Sequence, residues 1–155
     1  MEITGPVPKR LREDLSAWVQ SEMALDPGAS LGAMRGRAWA GRKVGRRTEA
    51  PPAVCELAGL VGWFAPQLIG LRWLAWPVVL WEGASIGWHD HAQAQWAAVT
   101  YLETPPDAGR ICWVYGDHLP KAGDLLIMSG TERHEVKPGA GPRVSVALNF
   151  YAEGN

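Results

Sequence analysis

The sequence predicts a mainly β chain, a sandwich or barrel preceded by helices, and so α+β overall. Three observations carry this. From about Leu71 the segments are short, β-branched or aromatic, and separated by turn residues. Eighteen Gly and twelve Pro among 155 residues supply breaks for many short elements. Helical periodicity is confined to about the first 70 residues. Length and a 47% hydrophobic content fit one domain, residues 1–155, with enough apolar material for a core. Residues 1–70 read as helical or irregular support and 71–151 as the β core.

Leu11, Leu15, Trp18 and Val19 recur at spacings of three and four, which predicts an amphipathic helix ended by Asp26-Pro27-Gly28. Residues 31–50 are rich in Gly and Arg and carry no clear period. Pro51-Pro52 opens a second helix with Leu57, Leu60, Val61 and Phe64 on one stripe; Leu68 and Ile69 extend it past Pro66. Both helices are expected to pack on a sheet. Strands follow at Arg72–Trp81, Ile86–His91, Ala97–Leu102, Arg110–Tyr115, Asp124–Met128, His134–Lys137 and Arg143–Tyr151. Their near-regular spacing, with no helical pattern between, is that of a sandwich or barrel.

Composition removes several classes. No apolar run approaches the roughly 18 residues of a membrane span. The start of the chain lacks the charged and apolar regions of a signal peptide. Cys55 and Cys112 form no disulfide framework or zinc-finger pattern, which points to a reducing, cytoplasmic location. The formal net charge is −1, yet residues 1–50 hold nine basic and six acidic residues. Arg35, Arg37, Arg42, Lys43, Arg46 and Arg47 concentrate that excess. With no nucleic-acid motif beside it, the run reads as a solvated loop or strand edge, and nucleic acid is not expected as a partner.

Only four histidines are present. His89 and His91 lie at i and i+2, which share a face of a strand while Asp90 points the other way. Two imidazoles on one face make two ligands of a metal site, and the third must come from elsewhere. His134, at the start of a later strand, is the candidate; His118, in a turn, is left out. The last strand sets Val144, Val146, Leu148 and Phe150 on one face and Arg143, Ser145, Ala147 and Asn149 on the other. If the second face lines a cavity, Arg143 is a permanently charged fork suited to a carboxylate, and Ser145 adds a hydroxyl. An inward Arg beside a metal is costly unless an anion joins it.

Taken in order, several stretches resemble a known family. They are Trp76 to Gly83, His89-Asp90-His91, Ala97 to Leu102, Pro105 to Gly109, Gly123 to Met128, His134-Glu135-Val136, and Arg143-Val144-Ser145 through Asn149-Phe150. Together they resemble the Fe(II)/2-oxoglutarate-dependent oxygenases, whose core is a double-stranded β-helix, or cupin-like jelly roll. The narrower likeness is to a group of small members with a His-x-His…His…Arg-x-Ser pattern. The resemblance is strong over residues 70–151 and weak before them.

It implies that His89 and His134 hold iron, that Arg143 pairs with the distal carboxylate of 2-oxoglutarate beside Ser145, and that Tyr101 is a second contact to that cosubstrate. It also puts the His134 and Arg143 strands in opposite sheets, both facing the cavity, with Pro138 to Pro142 as a corner. The implied activity is a non-haem iron dioxygenase that converts 2-oxoglutarate to succinate and CO2 and hydroxylates a C–H bond. One departure stands out. The wider family has a carboxylate where this chain has His91, so the resemblance implies iron held either by His89, His91 and His134 or by His89 and His134 with a carboxylate from elsewhere. The bulky residue also argues against a halogenase.

Two alternatives come from other classes. Gly83 and the His89-x-His91 pair fit the opening of a cupin motif, and Pro120 to His134 resembles a second one. Three-His iron without 2-oxoglutarate is the chemistry that implies. Gln95 and Leu102 depart from the cupin pattern. The third option is a jelly-roll binding module without catalysis. Nine Trp are present, and Trp88 and Trp96, which flank the ligand strand, are candidates for the pocket wall with Asn149. The substrate is expected to be a small molecule, a peptide or a carrier-bound group, with no membrane partner. Oligomeric state is left open, a homo-oligomer included.

Overall fold

The computed structural model describes residues 1–28 and 32–152. Residues 29–31 and 153–155, which include the first position of the Gly- and Arg-rich stretch 31–50, lie outside the described residues.

A short strand β1 (Glu2–Thr4) leads into helix α1 (Lys9–Leu25). The α1 stripe is the expected one, with Leu11, Leu15, Trp18 and Val19 all buried. The helix stops at Asp26 because the residue before a proline is disfavoured in the helical region. Strands β2 (Met34–Arg35) and β3 (Ala38–Ala40) follow. Helix α2 (Pro52–Phe64) begins with proline at its first turn, where no N–H is lost, and ends before Pro66, after which residues 66–68 make one 3₁₀ turn. Among the described residues no helix is long and apolar enough to cross a membrane.

Eight strands then build the core: β4 (Arg72–Leu80), β5 (Ser85–His89), β6 (Trp96–Glu103), β7 (Ile111–Trp113), β8 (Gly116–His118), β9 (Leu125–Ser129), β10 (His134–Val136) and β11 (Arg143–Tyr151). They pair antiparallel in two sheets, ordered β1-β9-β6-β11-β4-β3 and β2-β5-β10-β7-β8. Within the larger sheet β4, β11, β6 and β9 are neighbours; within the smaller one, β5, β10, β7 and β8. That order is a jelly roll. As expected, β10 and β11 lie in opposite sheets, so Pro138 to Pro142 turns a corner.

Pro77 sits inside β4 without breaking it. Its carbonyl faces the β3 side, where Gly41 N–H donates to it at 3.0 Å. The missing proline donor therefore falls just beyond the end of β3, where no acceptor strand needs it.

The six-stranded sheet has two different faces. Outward, Val144, Val146, Leu148 and Phe150 of β11 join Trp73 and Val79 of β4, Ala98 of β6 and Leu125 and Ile127 of β9. This face packs on Leu11, Leu15 and Val19 of α1 and Val54, Leu57 and Val61 of α2. Inward, Trp76, Val78 and Leu80 of β4 and Tyr101 of β6 face the smaller sheet. Strand alternation thus separates a helix-backed core from the space between the sheets.

The basic side chains of Arg35, Arg37, Arg42, Lys43, Arg46 and Arg47 are exposed, on and after β2 and β3, which are edge strands of the two sheets. Arg42 pairs with the buried Glu22 of α1 at 3.0 Å, a carboxylate that also accepts from Trp18 Nε1. Arg37 lies over the Trp81 ring.

Candidate metal centre

β5 and β10 are adjacent and antiparallel, and their register sets His134 directly opposite His89. Residues opposite each other point to the same face. Both imidazoles enter the space between the sheets, with ring centroids 4.2 Å apart. A register shift between His134 and Val136 makes Val136 face Ile86 rather than the next residue in step. This bulge lets Ile86 and His89, three apart, both face inward.

His91 arrives by a different route from the one the sequence suggested. β5 ends at His89, so the two-residue strand period does not place His91. Its N–H donates to the Gly130 carbonyl at 2.7 Å, and its own carbonyl accepts from Ala94 N–H. These bonds turn the ring back onto the others, 5.5 Å from His89 and 5.3 Å from His134. Gly130 is required there. A Cβ on it would lie 1.9 Å from the Ala94 carbonyl oxygen and 2.8 Å from that of His91. In the sequence Ser129-Gly130 is only a turn signal, and its role in seating His91 was missed.

One ring nitrogen from each of His89, His91 and His134 lies within 4.8 Å of the others. Two tautomers are fixed by backbone carbonyls, which can only accept. His89 Nδ1 donates to Gly87 O at 2.8 Å, and His134 Nδ1 donates to Glu132 O at 2.9 Å. In the neutral ring this leaves the lone pair on Nε2, the form that ligates a metal. Burial, aided by the neighbouring His89, pushes His91 and His134 down to about 4, so both are neutral at neutral pH. No carboxylate joins the cluster among the described residues. Asp90 is exposed, and its Oδ1 accepts from Ala92 N–H at 3.0 Å.

The three histidines line a cavity of about 110 Å³ between the sheets. Its walls are apolar: Val78, Ile86, Ala97, Val99, Ile111, Met128, Val136 and Ala147 contribute from both sheets. Arg143, Ser145 and Tyr101 supply further polar groups to the same cavity. Arg143 is 4% exposed; among the described residues it sits in no ion pair and makes one hydrogen bond, from Nη1 to the Gly109 carbonyl at 3.0 Å. Among the described residues its Nε has no hydrogen-bond partner, nor does the hydroxyl of fully buried Tyr101, over whose ring the guanidinium lies at 5.1 Å. Burial pushes the arginine pKa down and the tyrosine pKa up. These unpaired donors, buried in one cavity, fit a bound anion.

The expected pocket wall is placed differently. Trp88 is 45% exposed, because His89 faces inward and its strand neighbour must face out. Trp96 packs on the helix-backed core, since Ala97, Val99 and Tyr101 take the cavity face of β6. Neither lines the cavity. Trp76 does, its ring centroid 6.2 Å from that of His91. Asn149 lies beside His91 at the end of the Arg143 face, outside the cavity lining, and donates to the Tyr151 hydroxyl. His118 is in β8, away from the cluster, with Nε2 2.7 Å from the Asp124 carboxylate.

No protein-family model matches the sequence, and no curated protein matches it. Solved structures do. A prolyl-4-hydroxylase from Pseudomonas putida superposes with a TM-score of 0.78 at 20% identity, over 99% of this chain and 92% of that one. An oxidoreductase of the 2OG-Fe(II) oxygenase family from Burkholderia pseudomallei gives 0.62 at 17% identity, over 88% of this chain and 78% of that one. The chain shares their fold. A predicted oxalate decarboxylase from Thermotoga maritima gives 0.51 at 15% identity, over 81% of this chain and 90% of that one. The double-stranded β-helix is thus the architecture that carries the three histidines and the buried arginine.

Proposed function

We propose that this chain is an Fe(II)- and 2-oxoglutarate-dependent oxygenase that hydroxylates a C–H bond of its substrate and releases succinate and CO2. The observation that carries the proposal is Arg143: a buried guanidinium with no acidic partner among the described residues, facing the same cavity as three convergent imidazoles. A cation in that position calls for an anion, and the far carboxylate of 2-oxoglutarate is the anion that a metal at the histidines would hold in reach.

In this assignment His89, His91 and His134 hold the metal through ring nitrogens. Arg143 Nε and the Tyr101 hydroxyl, both unpaired, take the distal carboxylate, and Ser145 stands beside them on β11. When bound, iron and 2-oxoglutarate supply the oxidising chemistry with dioxygen. The chain contributes orientation and exclusion of water. The Gly87 and Glu132 carbonyls fix two imidazoles, and the apolar walls keep the space dry. The cavity is small, so the substrate presents its reacting group from outside as part of a small molecule, a peptide or a carrier-bound unit.

Succinate formation should require both Fe(II) and 2-oxoglutarate. Arg143→Ala should abolish saturable 2-oxoglutarate binding. Lys137→Ala, which removes a cation paired with Glu135 at 2.7 Å, should not. Equal loss in both variants would remove Arg143 as the anchor. A second reading has one observation in its favour: the ligand set is three neutral imidazoles with no carboxylate, which suits a cupin-type metal dioxygenase that does not use 2-oxoglutarate. Tight metal binding with no binding or turnover of 2-oxoglutarate would replace the first reading with this one.

A further inference from the structure

Lys43 reaches the cavity wall through a local irregularity of the larger sheet. Ala40 is in register with Val78, and Val44 bridges to Ala75 with both hydrogen bonds at 2.8 Å. Residues 41–43 therefore oppose only Pro77 and Trp76, one residue too many for regular alternation, which is a β-bulge. Gly41 permits it: a Cβ there would lie 2.7 Å from Pro77 Cγ and 2.8 Å from Trp39 Cη2. The extra residue re-aims the side chains. In unbroken alternation Arg42 would continue the cavity-side face of Ala40, and Lys43 would face α1. Instead Arg42 turns to the buried Glu22 of α1, and Lys43 takes the cavity side, its Nζ 4.9 Å over the Trp76 ring.

That indole is 4% exposed, lines the cavity and has its ring centroid 6.2 Å from that of His91. Lys43 itself is exposed. The pair thus marks where the cavity wall beside His91 meets solvent. Lys43 forms no ion pair with Asp or Glu among the described residues, and none of the cavity-lining residues is acidic. The cation–π contact occupies one side of the ammonium and leaves N–H donors for a ligand. Neighbouring basic residues are engaged elsewhere. Arg35 donates to the Gly32 and Met34 carbonyls, Arg37 lies over Trp81, and Arg42 holds Glu22.

We propose that Lys43 determines specificity in the oxygenase reaction. Its ammonium takes an oxyanion of the substrate, a carboxylate or a phosphate ester, and so selects molecules that carry negative charge close to the carbon presented to the metal. The proposal rests on the oxygenase reading above and narrows its substrate class. Arg143 and Lys43 divide two anions between them: the buried guanidinium takes the cosubstrate inside the cavity, and the ammonium at the rim meets what arrives from solvent. Held against an indole, the ammonium is already partly ordered, so an anion loses less on binding it than on binding a free surface lysine. A lysine that only covered Trp76 would bind no anion.

The test titrates acetate and methyl phosphate into the protein loaded with Zn²⁺ and 2-oxoglutarate, at constant ionic strength. Bound 2-oxoglutarate occupies Arg143 and keeps the probes from it. The Trp76 indole N–H, identified by its loss in Trp76→Phe, is followed by NMR. In wild type at least one probe should shift it saturably, and the tighter of the two names the group. Lys43→Gln should raise that Kd by about fivefold or more. Lys43→Arg should keep it within about twofold, since a guanidinium also stacks on an indole. Arg47→Gln, which removes an exposed charge away from the cavity lining, should leave it unchanged. No saturable shift with either probe would overturn the proposal. Equal Kd values in wild type and Lys43→Gln would overturn it too, by placing the anion on another group. Equal weakening by Arg47→Gln would reduce the effect to overall surface charge. If 2-oxoglutarate itself fails to bind, the oxygenase reading falls, and the same titration of the Zn²⁺ form still decides whether Lys43 takes an anion.

Discussion

Arg143 shows what a single side chain contributes to such a site and what it costs. Its guanidinium is buried and, among the described residues, keeps one hydrogen bond to Gly109 and leaves Nε unpaired. An uncompensated buried cation destabilises the protein that carries it. Arg143→Met should therefore raise the stability of the metal-free protein by about 1 kcal/mol or more while removing 2-oxoglutarate binding. Urea unfolding midpoints and calorimetry measure the two effects. A loss of stability of similar size would mean that the arginine is a satisfied structural group. Residues of this kind were legible in the sequence because chemistry selects them: four histidines, one His-x-His pair and one Arg-x-Ser leave few options. Trp88 and Trp96 were not legible in the same way. Both flank the ligand strand in sequence, but the face each takes is fixed by its neighbours, His89 in one case and Ala97 in the other.

Elements were legible in proportion to their own pattern. The seven long or strongly patterned strands and the first helix stand within a few residues of where periodicity and turn residues put them, while the second helix stops at Phe64 and does not extend past Pro66 to Ile69. β1, β2, β3 and β8 did not announce themselves. Each is two or three residues long and is a strand only because a neighbour offers a ladder, as β9 does for β1. The turn after β9 matters more than its sequence suggests. Gly130 accepts from the His91 N–H in a space too tight for a side chain. Gly130→Ala should push the segment carrying His91 away and weaken divalent metal binding by roughly tenfold to a hundredfold. The fold should survive, since the helix-backed core is untouched. Circular dichroism with Mn²⁺ titration separates the two; unchanged affinity in a folded variant would show that His91 is seated by something else.

Across the whole molecule the larger sheet divides stability from function. One face is sealed by α1 and α2 with close-packed residues such as Leu15, Leu57, Val146 and Phe150. The other keeps an open volume and lets small side chains, Ala97 and Ala147 among them, hold it open. Unfilled apolar space forgoes contacts, so the cavity side is less stable than the same strands could make it. Ala147 is the sharpest place to test this. It lies mid-strand on β11, in register with Trp76 on β4 and Val99 on β6, and all three line the cavity. Ala147→Leu adds apolar volume where the protein leaves room. The metal-free variant should unfold at the same temperature as wild type or higher, because filling a void restores dispersion contacts without burying a polar group. It should also lose 2-oxoglutarate, since the added side chain occupies the path between Arg143 and the histidines. Thermal unfolding and calorimetry on one preparation read both. Undiminished binding would place the ligand outside this cavity. A large drop in melting temperature would show that the space is already packed to its limit and that the alanines serve close contact between the sheets.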